Sequence, residues 1–396
     1  MPQLTAFSKV TSESQRIRQP VIVQILPALN LGGVERGTIE MARAITEAGG
    51  KAVIISSGGQ LVPQLQRVGA HHITLPVHVK NPLKWGGVRR QLRNHLKEPG
   101  ADIVHVRSRA PAWIALPVAK KLGIASLSTI HGKFKAQNIF KKIYNAKILS
   151  AQKLIAISEH VKSGILAQHK IEGLSDKMKV IHRGVDIHHF NPANVTQARI
   201  INQAQILGLP DDRPVIMLPA RPTAWKGHKI LLDAVAKMGR LDISVVLLGI
   251  AHDHSAYYEM MKRHVARLGI ESLVRFAHKS TDMPASLMLA DVVVMPSIEP
   301  EPFGRVALEA QAMGRPIVAF AHGGAIESII DRQTGYLAEP KDVDSLVKAL
   351  EEALSLGPRK RKKWAETARA HVTTHFTTKH MCDETLALYD MLLQDK

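Results

Sequence analysis

Short apolar runs alternate with helical patterns from one end of this 396-residue chain to the other. The runs are continuous in hydrophobicity, which is typical of strands that are buried on both faces of a parallel sheet. Parallel strands need crossover helices, so the pattern predicts an α/β fold with helices on both faces of each sheet. The pattern begins twice, near residues 21 and 214, and this predicts two doubly wound domains.

In the first half, the predicted strands cover residues 21–26, 52–56, 72–75, 102–106, 125–129, 153–157 and 179–182. Helices are predicted between them over residues 34–48, 83–97, 112–122 and 140–150. In the second half, the predicted strands cover residues 214–218, 243–248, 274–276, 292–295 and 316–319. A polar segment over residues 371–376 then precedes a last predicted helix over residues 379–393.

Two proline-containing turns, Asn191-Pro192 and Leu209-Pro210, indicate a domain boundary within residues 188–209. We therefore expect a first domain over residues 20–200 and a second over residues 201–378. A C-terminal helix over residues 379–396 is expected to pack back on the first domain. Residues 1–19 are polar and lack the apolar run of a signal peptide, so they are expected to form a flexible tail.

The net charge of +19 lies entirely in the first half of the chain. Residues 1–200 hold 29 Lys and Arg against 10 Asp and Glu, whereas residues 201–396 hold 24 of each. This asymmetry indicates a polyanionic partner, either nucleic acid or an anionic membrane surface, and a basic surface that serves solubility is the alternative. Aromatic residues make up only 4% of the chain and no nucleic-acid-binding motif is present, which disfavours nucleic acid.

A single cysteine, Cys382, cannot form an intramolecular disulfide, so a reducing compartment is expected. No stretch of the sequence approaches the roughly 18 to 20 consecutive apolar residues of a membrane span. These two features predict a cytoplasmic protein that is at most peripheral to a membrane.

Two loops that follow predicted strands of the first domain carry candidate binding residues. Gly32 and Gly33 open a helix, where glycine allows close backbone approach and the helix N-terminus offers N–H groups to an anion. The spacing is not that of a dinucleotide fingerprint, and a turn that simply needs glycine is an equal alternative. His131 ends another strand and can donate to a sugar hydroxyl or a phosphate, although most single histidines are structural or solvated.

The loop after the first strand of the second domain contains Arg221 and Lys226. Arginine presents a planar fork of donors and lysine presents a point charge, so together they suit a diphosphate. Two exposed cations on a loop are the alternative interpretation.

A pair of carboxylates follows a later strand of the same domain. Glu301 lies in the loop and Glu309 lies in the helix that follows, with seven residues between them. Pro302 and Gly304 shape a turn that can expose the amides of Phe303 and Gly304 at the helix N-terminus. A carboxylate and free amides can hold sugar hydroxyls, and a second carboxylate two turns into the helix can reach a ribose diol.

The run Glu301-Pro302-Phe303-Gly304-Arg305-Val306-Ala307-Leu308-Glu309 resembles the E-x7-E motif of the retaining GT-B glycosyltransferases of family 4. The strand 314–319 and the loop 323–327 are also similar to that family, and the resemblance covers roughly residues 20 to 390. It implies two Rossmann-like domains with the active site in the cleft between them. It also implies transfer of a hexose from a GDP- or UDP-linked sugar, with retention of anomeric configuration.

The family implies a role for each matching residue of the second domain. Glu301 holds the donor's hydroxyls around C3 and C4, assisted by the amides of Phe303 and Gly304. Glu309 binds the ribose hydroxyls. Arg221 and Lys226 bind the diphosphate and neutralise the leaving group. Gly323 and Gly324 complete the wall of the pocket.

In the first domain, the resemblance places His131 at the donor-sugar pocket and Gly32 and Gly33 near the phosphate or the acceptor. The family commonly has Asn before Gly-Val-Asp, whereas this chain has Arg183, a residue that can reach an anionic acceptor. The segments 24–30 and 32–37 resemble lipopolysaccharide-core mannosyltransferases of alphaproteobacteria. This implies GDP-mannose as donor, a lipid-linked or lipopolysaccharide-core acceptor, and the cytoplasmic face of the inner membrane as location.

No cofactor and no metal are expected, because protein cations replace the metal at the diphosphate. His371 and His375, with Cys382 downstream, form a weak metal-binding alternative to a solvated helix end. His252 and His254 are expected to lie in a polar loop. No carboxylate nucleophile is obvious at a strand end of the first domain, which argues against double displacement. The family resemblance implies front-face attack.

Residues 133–149 are the best candidate for contact with the anionic partner. Apolar residues fall near helical spacing there and lysines surround them, which suits a helix that lies on a membrane. An ordinary amphipathic helix packed on the sheet is an equal alternative.

Three other functions remain as alternatives. A transferase of the same fold could use a UDP-sugar on a different acceptor, and a sugar-nucleotide epimerase or a phosphorylase could share the two-domain fold. A non-catalytic, basic nucleic-acid-binding protein is the most remote alternative. The pair Glu301 and Glu309, together with Arg221 and Lys226, disfavours the epimerase and the phosphorylase.

Overall fold

The computed structural model of the chain describes residues 18–134, 138–250 and 255–395. These residues form two compact units. The first unit contains the residues up to His182 and those from Lys379 onward, and the second contains Arg183–Thr378. We call them the first and the second domain.

The change of domain lies between His182 and Arg183, earlier than the boundary expected at residue 200. Residues after Arg183 are tied to the end of the second domain by backbone hydrogen bonds. The amide of Val185 donates to the carbonyl of Phe376 at 2.9 Å, and the amide of Thr378 donates to the carbonyl of Val185 at 3.0 Å. Residues 188–209, which were expected to contain the domain boundary, therefore belong to the second domain.

The first domain is built on a seven-stranded sheet with the order β3-β2-β1-β4-β5-β6-β7, in which every pairing is parallel. Its strands are β1 Val21–Ile25, β2 Lys51–Ser56, β3 His71–Thr74, β4 Ile103–Val106, β5 Ala125–Ile130, β6 Lys153–Ala156 and β7 Met178–Val180. Its first six helices are α1 Gly33–Glu47, α2 Val62–Arg67, α3 Trp85–Lys97, α4 Arg109–Leu122, α5 Ile139–Ala146 and α6 Glu159–Gln168.

The second domain has a six-stranded sheet with the order β10-β9-β8-β11-β12-β13, again entirely parallel. The strands are β8 Val215–Pro219, β9 Ser244–Leu248, β10 Val274–Ala277, β11 Val292–Met295, β12 Ile317–Phe320 and β13 Tyr336–Ala338. The helices are α7 Gln197–Leu207, α8 His228–Met238, α9 Ala256–Leu268, α10 Met283–Leu289, α11 Arg305–Ala312, α12 Ala325–Ser328, α13 Val343–Leu354 and α14 Pro358–His375. Helix α15, Thr378–Gln394, ends the described chain.

The structure contains several elements that the sequence prediction did not name, among them helices α2 and α6. Strand β13 was not predicted, and helix α7 occupies part of the segment that was expected to be a linker. Thr196 caps α7 by accepting a hydrogen bond from the amide of Arg199, and α7 packs against α10. The polar segment over residues 371–376 is largely the end of α14 rather than a separate connection.

A buried polar network connects α15 to the first sheet. His105, in β4, is bonded through Nδ1 to the hydroxyl of Tyr389 at 2.6 Å and through Nε2 to the hydroxyl of Thr129 at 2.7 Å. Burial lowers the pKa of His105 well below its ordinary value, so the ring is neutral. A neutral imidazole has one donor and one acceptor, and both are used here. The network therefore fixes the position of α15 on the sheet.

Replacement of Tyr389 by Phe should destabilise the first domain by about 1 to 3 kcal/mol, since one nitrogen of the buried His105 would lose its partner. Tyr144→Phe is the matched control, because no described residue is hydrogen-bonded to the Tyr144 hydroxyl; its effect should stay below about 0.5 kcal/mol. Urea unfolding monitored by circular dichroism measures both. Equal losses in the two variants would contradict a stabilising role for the network.

Candidate functional site

The strand order of the second sheet reverses between β8 and β11, which are neighbours in the sheet but not in the chain. In parallel sheets, ligands bind beyond the carboxyl ends of the strands at such a switch point. Lys226 lies in the loop that follows β8, and Glu301 lies in the loop that follows β11. The topology therefore brings these two predicted residues to one place.

Backbone contacts join the two loops. The amide of Ile298 donates to the carbonyl of Trp225 at 2.8 Å. Gly227 has a left-handed backbone with φ of +80°, and a Cβ atom there would overlap the carbonyl of Pro296. Glycine at this position therefore allows the loop that carries Lys226 to lie directly against the loop that carries Glu301.

Lys226 and Glu301 form an ion pair, with 2.5 Å between Nζ and Oε1. The same carboxylate oxygen accepts a hydrogen bond from the hydroxyl of Ser297 at 2.6 Å. The ring of His322 is bonded through Nε2 to the carbonyl of Ser297 at 2.7 Å, and this contact supports the loop from the next strand, β12. Glu301 is only 6% exposed. A buried carboxylate needs such donors, because an unpaired charge there would be costly.

Trp225 gives Lys226 a second contact. The ammonium nitrogen lies 4.2 Å from the centroid of the Trp225 ring, within the range of a cation–π interaction.

His228, two residues after Lys226, is buried. Burial and the nearby charge of Lys226 lower the pKa of His228 to about 4, so His228 is neutral at physiological pH. Lys226 is therefore not repelled by a positive charge on His228.

The loop that follows β12 contacts the backbone around Glu301. The amide of Gly324 donates to the carbonyl of Glu301 at 2.8 Å. Gly323 has φ of +65°, and a Cβ atom on it would overlap backbone atoms of Glu301. A Cβ atom on Gly324 would overlap the backbone of Phe303. The two glycines thus hold the loop of Glu301 in place by close packing of backbone on backbone.

Helix α11 begins beside this loop. Gly304 is its N-cap residue, has φ of +90°, and supplies no side-chain cap. The side chain of Phe303 is buried and its ring lies 5.9 Å from that of Phe376, so it anchors the turn. Glu309 lies one turn after Arg305, with 3.7 Å between their charged groups. Glu309 thus lies on the same helix that begins beside Glu301.

Arg221 is placed differently from Lys226. It follows β8 directly but its side chain is exposed, and the structure shows no carboxylate partner for it among the described residues. The sequence analysis predicted that Arg221 and Lys226 act together on a diphosphate. In the structure only Lys226 contacts Glu301.

Three predicted residues belong to the first domain. Gly32 is the N-cap of α1 after β1, and Gly33 is the first residue of that helix. No side chain caps α1, and a Cβ atom on Gly32 would overlap the carboxylate of Glu35. His131 follows β5. All three therefore lie at the carboxyl edge of the first sheet.

Sequence reasoning missed a buried cation at the same edge. Arg107 follows β4, which lies between β1 and β5 in the sheet, and its guanidinium donates to the side-chain carbonyl of Gln24 at 2.7 Å. Burial lowers the pKa of Arg107. Ser297 and His322 were missed as well. The signal for all three was their position, since each lies within two residues of the carboxyl end of a strand.

Two findings concern other predicted features. The rings of His371 and His375 lie 5.3 Å apart at the end of α14, and no group of three or more metal-ligating side chains occurs within the described ranges. His252 and His254 lie outside the described residues. Among the helices that the structure describes, none has the length and apolarity needed to cross a membrane.

Comparison with known proteins agrees with this geometry. Residues 31–189 match the family model described as Glycosyltransferase Family 4, and residues 200–371 match the one described as Glycosyl transferases group 1. A crystal structure of a glycosyltransferase from Rickettsia africae is 34% identical, covers 96% of this chain and 100% of that chain, and has a TM-score of 0.88. The chain therefore belongs to the glycosyltransferases, with a family 4 domain followed by a group 1 domain.

Three further proteins are similar to this chain. The D-inositol 3-phosphate glycosyltransferase of Stackebrandtia nassauensis is 28% identical over 315 residues, which are 74% of this chain and 69% of that protein. The protein of the same name from Mycobacterium tuberculosis is 33% identical over 243 residues, and this match spans only 48% of its length. Anabaena HepE, in complex with UDP and glucose, shares the fold at 21% identity, with a TM-score of 0.79 over 93% of this chain and 98% of that chain. The predicted GT-B architecture of two Rossmann-like domains is thereby confirmed.

Replacement of Gly323 by Ala should destabilise the second domain by at least about 2 kcal/mol, from backbone strain together with overlap against Glu301. Gly239→Ala is the control. Gly239 has nearly the same φ, +66°, but no atom lies within 4 Å of its Cβ position, so only the strain of about 1 kcal/mol applies. Urea unfolding measures both variants. If Gly323→Ala is no worse than Gly239→Ala, the close contact does not constrain the site.

Proposed function

We propose that this glycosyltransferase moves a hexose from a nucleoside-diphosphate sugar to an anionic or lipid-linked acceptor, with retention of anomeric configuration. The observation that carries the proposal is the juxtaposition of Lys226 and Glu301 at the switch point of the second sheet. A lysine suits a diphosphate, and a carboxylate held by Ser297 suits sugar hydroxyls. Glu309 would bind the ribose, and the amides of Phe303 and Gly304 would assist Glu301.

The proposed reaction breaks the bond between the anomeric carbon and the diphosphate oxygen. The acceptor oxygen attacks the same face and forms the new bond, while its proton passes to the departing diphosphate. Lys226 and Arg221 would neutralise the negative charge that develops on the leaving group. Catalysis would then consist mainly of positioning and charge stabilisation, with no metal and no bound cofactor. His131, Gly32 and Gly33 would line the hexose and acceptor side.

GDP-mannose is our first choice of donor and a lipopolysaccharide-core sugar our first choice of acceptor. The support is the sequence similarity of segments 24–30 and 32–37, together with the positive charge of the first half. A second candidate is transfer to a phosphorylated cyclitol. It is favoured by the relatives named D-inositol 3-phosphate glycosyltransferase. Both acceptors are anionic, so the charge of the chain suits either one.

A substrate panel separates these candidates. Purified protein is incubated with GDP-mannose or with UDP-sugars, each in the presence of detergent-solubilised lipid A–Kdo or of D-inositol 3-phosphate, and nucleotide release is measured. Release from GDP-mannose that requires lipid A–Kdo supports the first choice. Release that requires D-inositol 3-phosphate supports the second. If folded protein releases nucleotide with none of these pairs, both substrate assignments are wrong.

Replacement of Lys226 by Ala should lower turnover by about 10² to 10³, because a group that stabilises the leaving charge is lost. Lys229→Ala is the control, since Lys229 is an exposed lysine in the first turn of α8. That variant should retain nearly full activity. Initial rates with the best substrate pair measure both. Near-normal turnover of a folded Lys226→Ala protein would remove Lys226 from the proposed machinery.

Helix α5 carries the surface that we propose to contact the acceptor's membrane. Three apolar side chains project from it into solvent: Ile139 is 62% exposed, Phe140 79% and Ile143 55%. Lys141 and Lys142 lie on the same helix and are also exposed. The only fully buried residue of α5 is Asn145, so the apolar face of this helix is not packed on the sheet. An exposed apolar face flanked by lysines suits an anionic lipid surface.

Aromatic stacking holds α5 against its neighbours. The ring of Tyr144 stacks on that of Trp113 at 6.0 Å between centroids, and Trp113 stacks on Trp85 at 5.1 Å. The indole of Trp113 also donates to the carbonyl of Tyr144 at 3.1 Å. These contacts join α5 to α3 and α4, so the exposed apolar residues are presented on a preformed helix. We place the protein in the cytoplasm, with this helix on the inner membrane.

Replacement of Phe140 by Ser should reduce co-sedimentation with vesicles of phosphatidylglycerol and phosphatidylcholine by about tenfold, because roughly 1.5 kcal/mol of apolar burial is lost. Leu241→Ser is the control, because Leu241 is 74% exposed and belongs to the second domain. It should leave vesicle binding unchanged. Wild-type binding that is equal for anionic and neutral vesicles would contradict the membrane proposal.

A further inference from the structure

The ion pair of the site joins two residues that have different assignments in the proposed function. Lys226 is assigned to the diphosphate of the donor and Glu301 to the hexose hydroxyls. In the structure these two side chains are bonded to each other through Nζ and Oε1. The side chain of Lys226 is 16% exposed and that of Glu301 is 7% exposed, so the pair is shielded from bulk water. Shielding strengthens the mutual attraction of the two charges.

A diphosphate that binds Lys226 must compete with Glu301 for the same ammonium group. Once Lys226 turns to the phosphate oxygens, the carboxylate of Glu301 keeps the hydrogen bond from Ser297 but loses its cation. A buried carboxylate that loses its partner is strongly destabilised. Hydroxyl groups of a hexose can replace the lost bonds, because each supplies a donor to a carboxylate oxygen.

The intact donor and the product nucleotide therefore differ in the groups that they supply to Lys226 and Glu301. A nucleoside-diphosphate hexose supplies phosphates to Lys226 and hydroxyls to Glu301 at the same time. A nucleoside diphosphate supplies only the phosphates and leaves Glu301 without a cation. After transfer, the attraction of Glu301 for Lys226 opposes retention of the product.

We propose that Glu301 acts as an internal competitor of the diphosphate for Lys226, so that the site favours the sugar-bearing donor and expels the nucleoside diphosphate after transfer. This inference rests on the proposed function, because it assumes that Lys226 meets the diphosphate. It adds a role in product release to the role of Glu301 in holding the sugar. Ser297 is a positioning residue in this scheme, since it orients the carboxylate in both states.

The test is the affinity of the full-length protein for GDP and for UDP, measured by isothermal titration calorimetry. Glu301→Gln removes the competing charge with little change of shape. The variant should bind the nucleoside diphosphate about tenfold more tightly than wild type, within the usual range of coupling between contacting residues. Turnover of the sugar nucleotide should fall at the same time. Unchanged or weaker nucleotide binding by folded Glu301→Gln protein would overturn the inference.

Two further variants separate competition for Lys226 from a general change of charge. Glu299→Gln removes a carboxylate from an exposed position in the same loop and should leave nucleotide affinity within about twofold of wild type. In a Lys226→Ala background, Glu301→Gln should produce no gain, because the group for which Glu301 competes is absent. A tenfold gain that persists in that background would show long-range electrostatics and contradict the proposal.

A third variant, Ser297→Ala, tests the scheme in the opposite direction. Removal of this hydroxyl leaves Glu301 more dependent on Lys226, so nucleotide affinity should fall or stay level, opposite to the effect of Glu301→Gln. An increase would contradict the scheme. A different result would contradict the proposed function itself. If Lys226→Ala does not weaken binding of the intact sugar nucleotide, then Lys226 does not meet the diphosphate.

Discussion

Both domains depend on the burial of apolar strands between layers of helices. All five residues of β1, β8 and β9 are buried, so their backbone groups must pair within the sheet. Polar side chains are largely excluded from these strands and accumulate where the strands end. Since all strands of a parallel sheet end at the same edge, this burial also gathers the chemistry. Lys226 and Glu301 meet for this reason, although they are 75 positions apart in the chain.

Backbone clearance then determines how closely the loops at that edge can approach. Gly227 lies against the carbonyl of Pro296, and Gly323 lies against the backbone of Glu301. Larger residues would separate the three loops that follow β8, β11 and β12. The separation would remove the contact between Lys226 and Glu301, which is made through flexible side chains and depends on a distance of only 2.5 Å. The electrostatics of the site is thus a consequence of close backbone packing.

Much of the fold could be predicted, because continuous apolar runs are a strong signal for buried parallel strands. Every predicted strand is present, most with bounds that shift by only one or two residues. Strand β13 was missed because three residues are too few to show periodicity, and its pairing with β12 supplies the stability that its own sequence does not. Helix α7 was missed because flanking prolines suggested a linker, whereas packing against α10 stabilises it. Among the site residues, Ser297 and Arg107 were overlooked because serine and arginine after a strand are common on surfaces.

The sequence by itself determined the two α/β domains, the loops that carry polar residues, and the membership of the glycosyltransferases. Hydrophobic periodicity and residue type suffice for these, since they are local properties of the chain. Only the tertiary structure decided that Lys226 is paired with Glu301 while Arg221 is exposed, and that the apolar face of α5 is left unpacked. These properties depend on which strands lie side by side and which helix faces are covered. The order of strands in a sheet and the covering of helix faces cannot be deduced from the spacing of residues along the chain, because contacts between distant segments determine both.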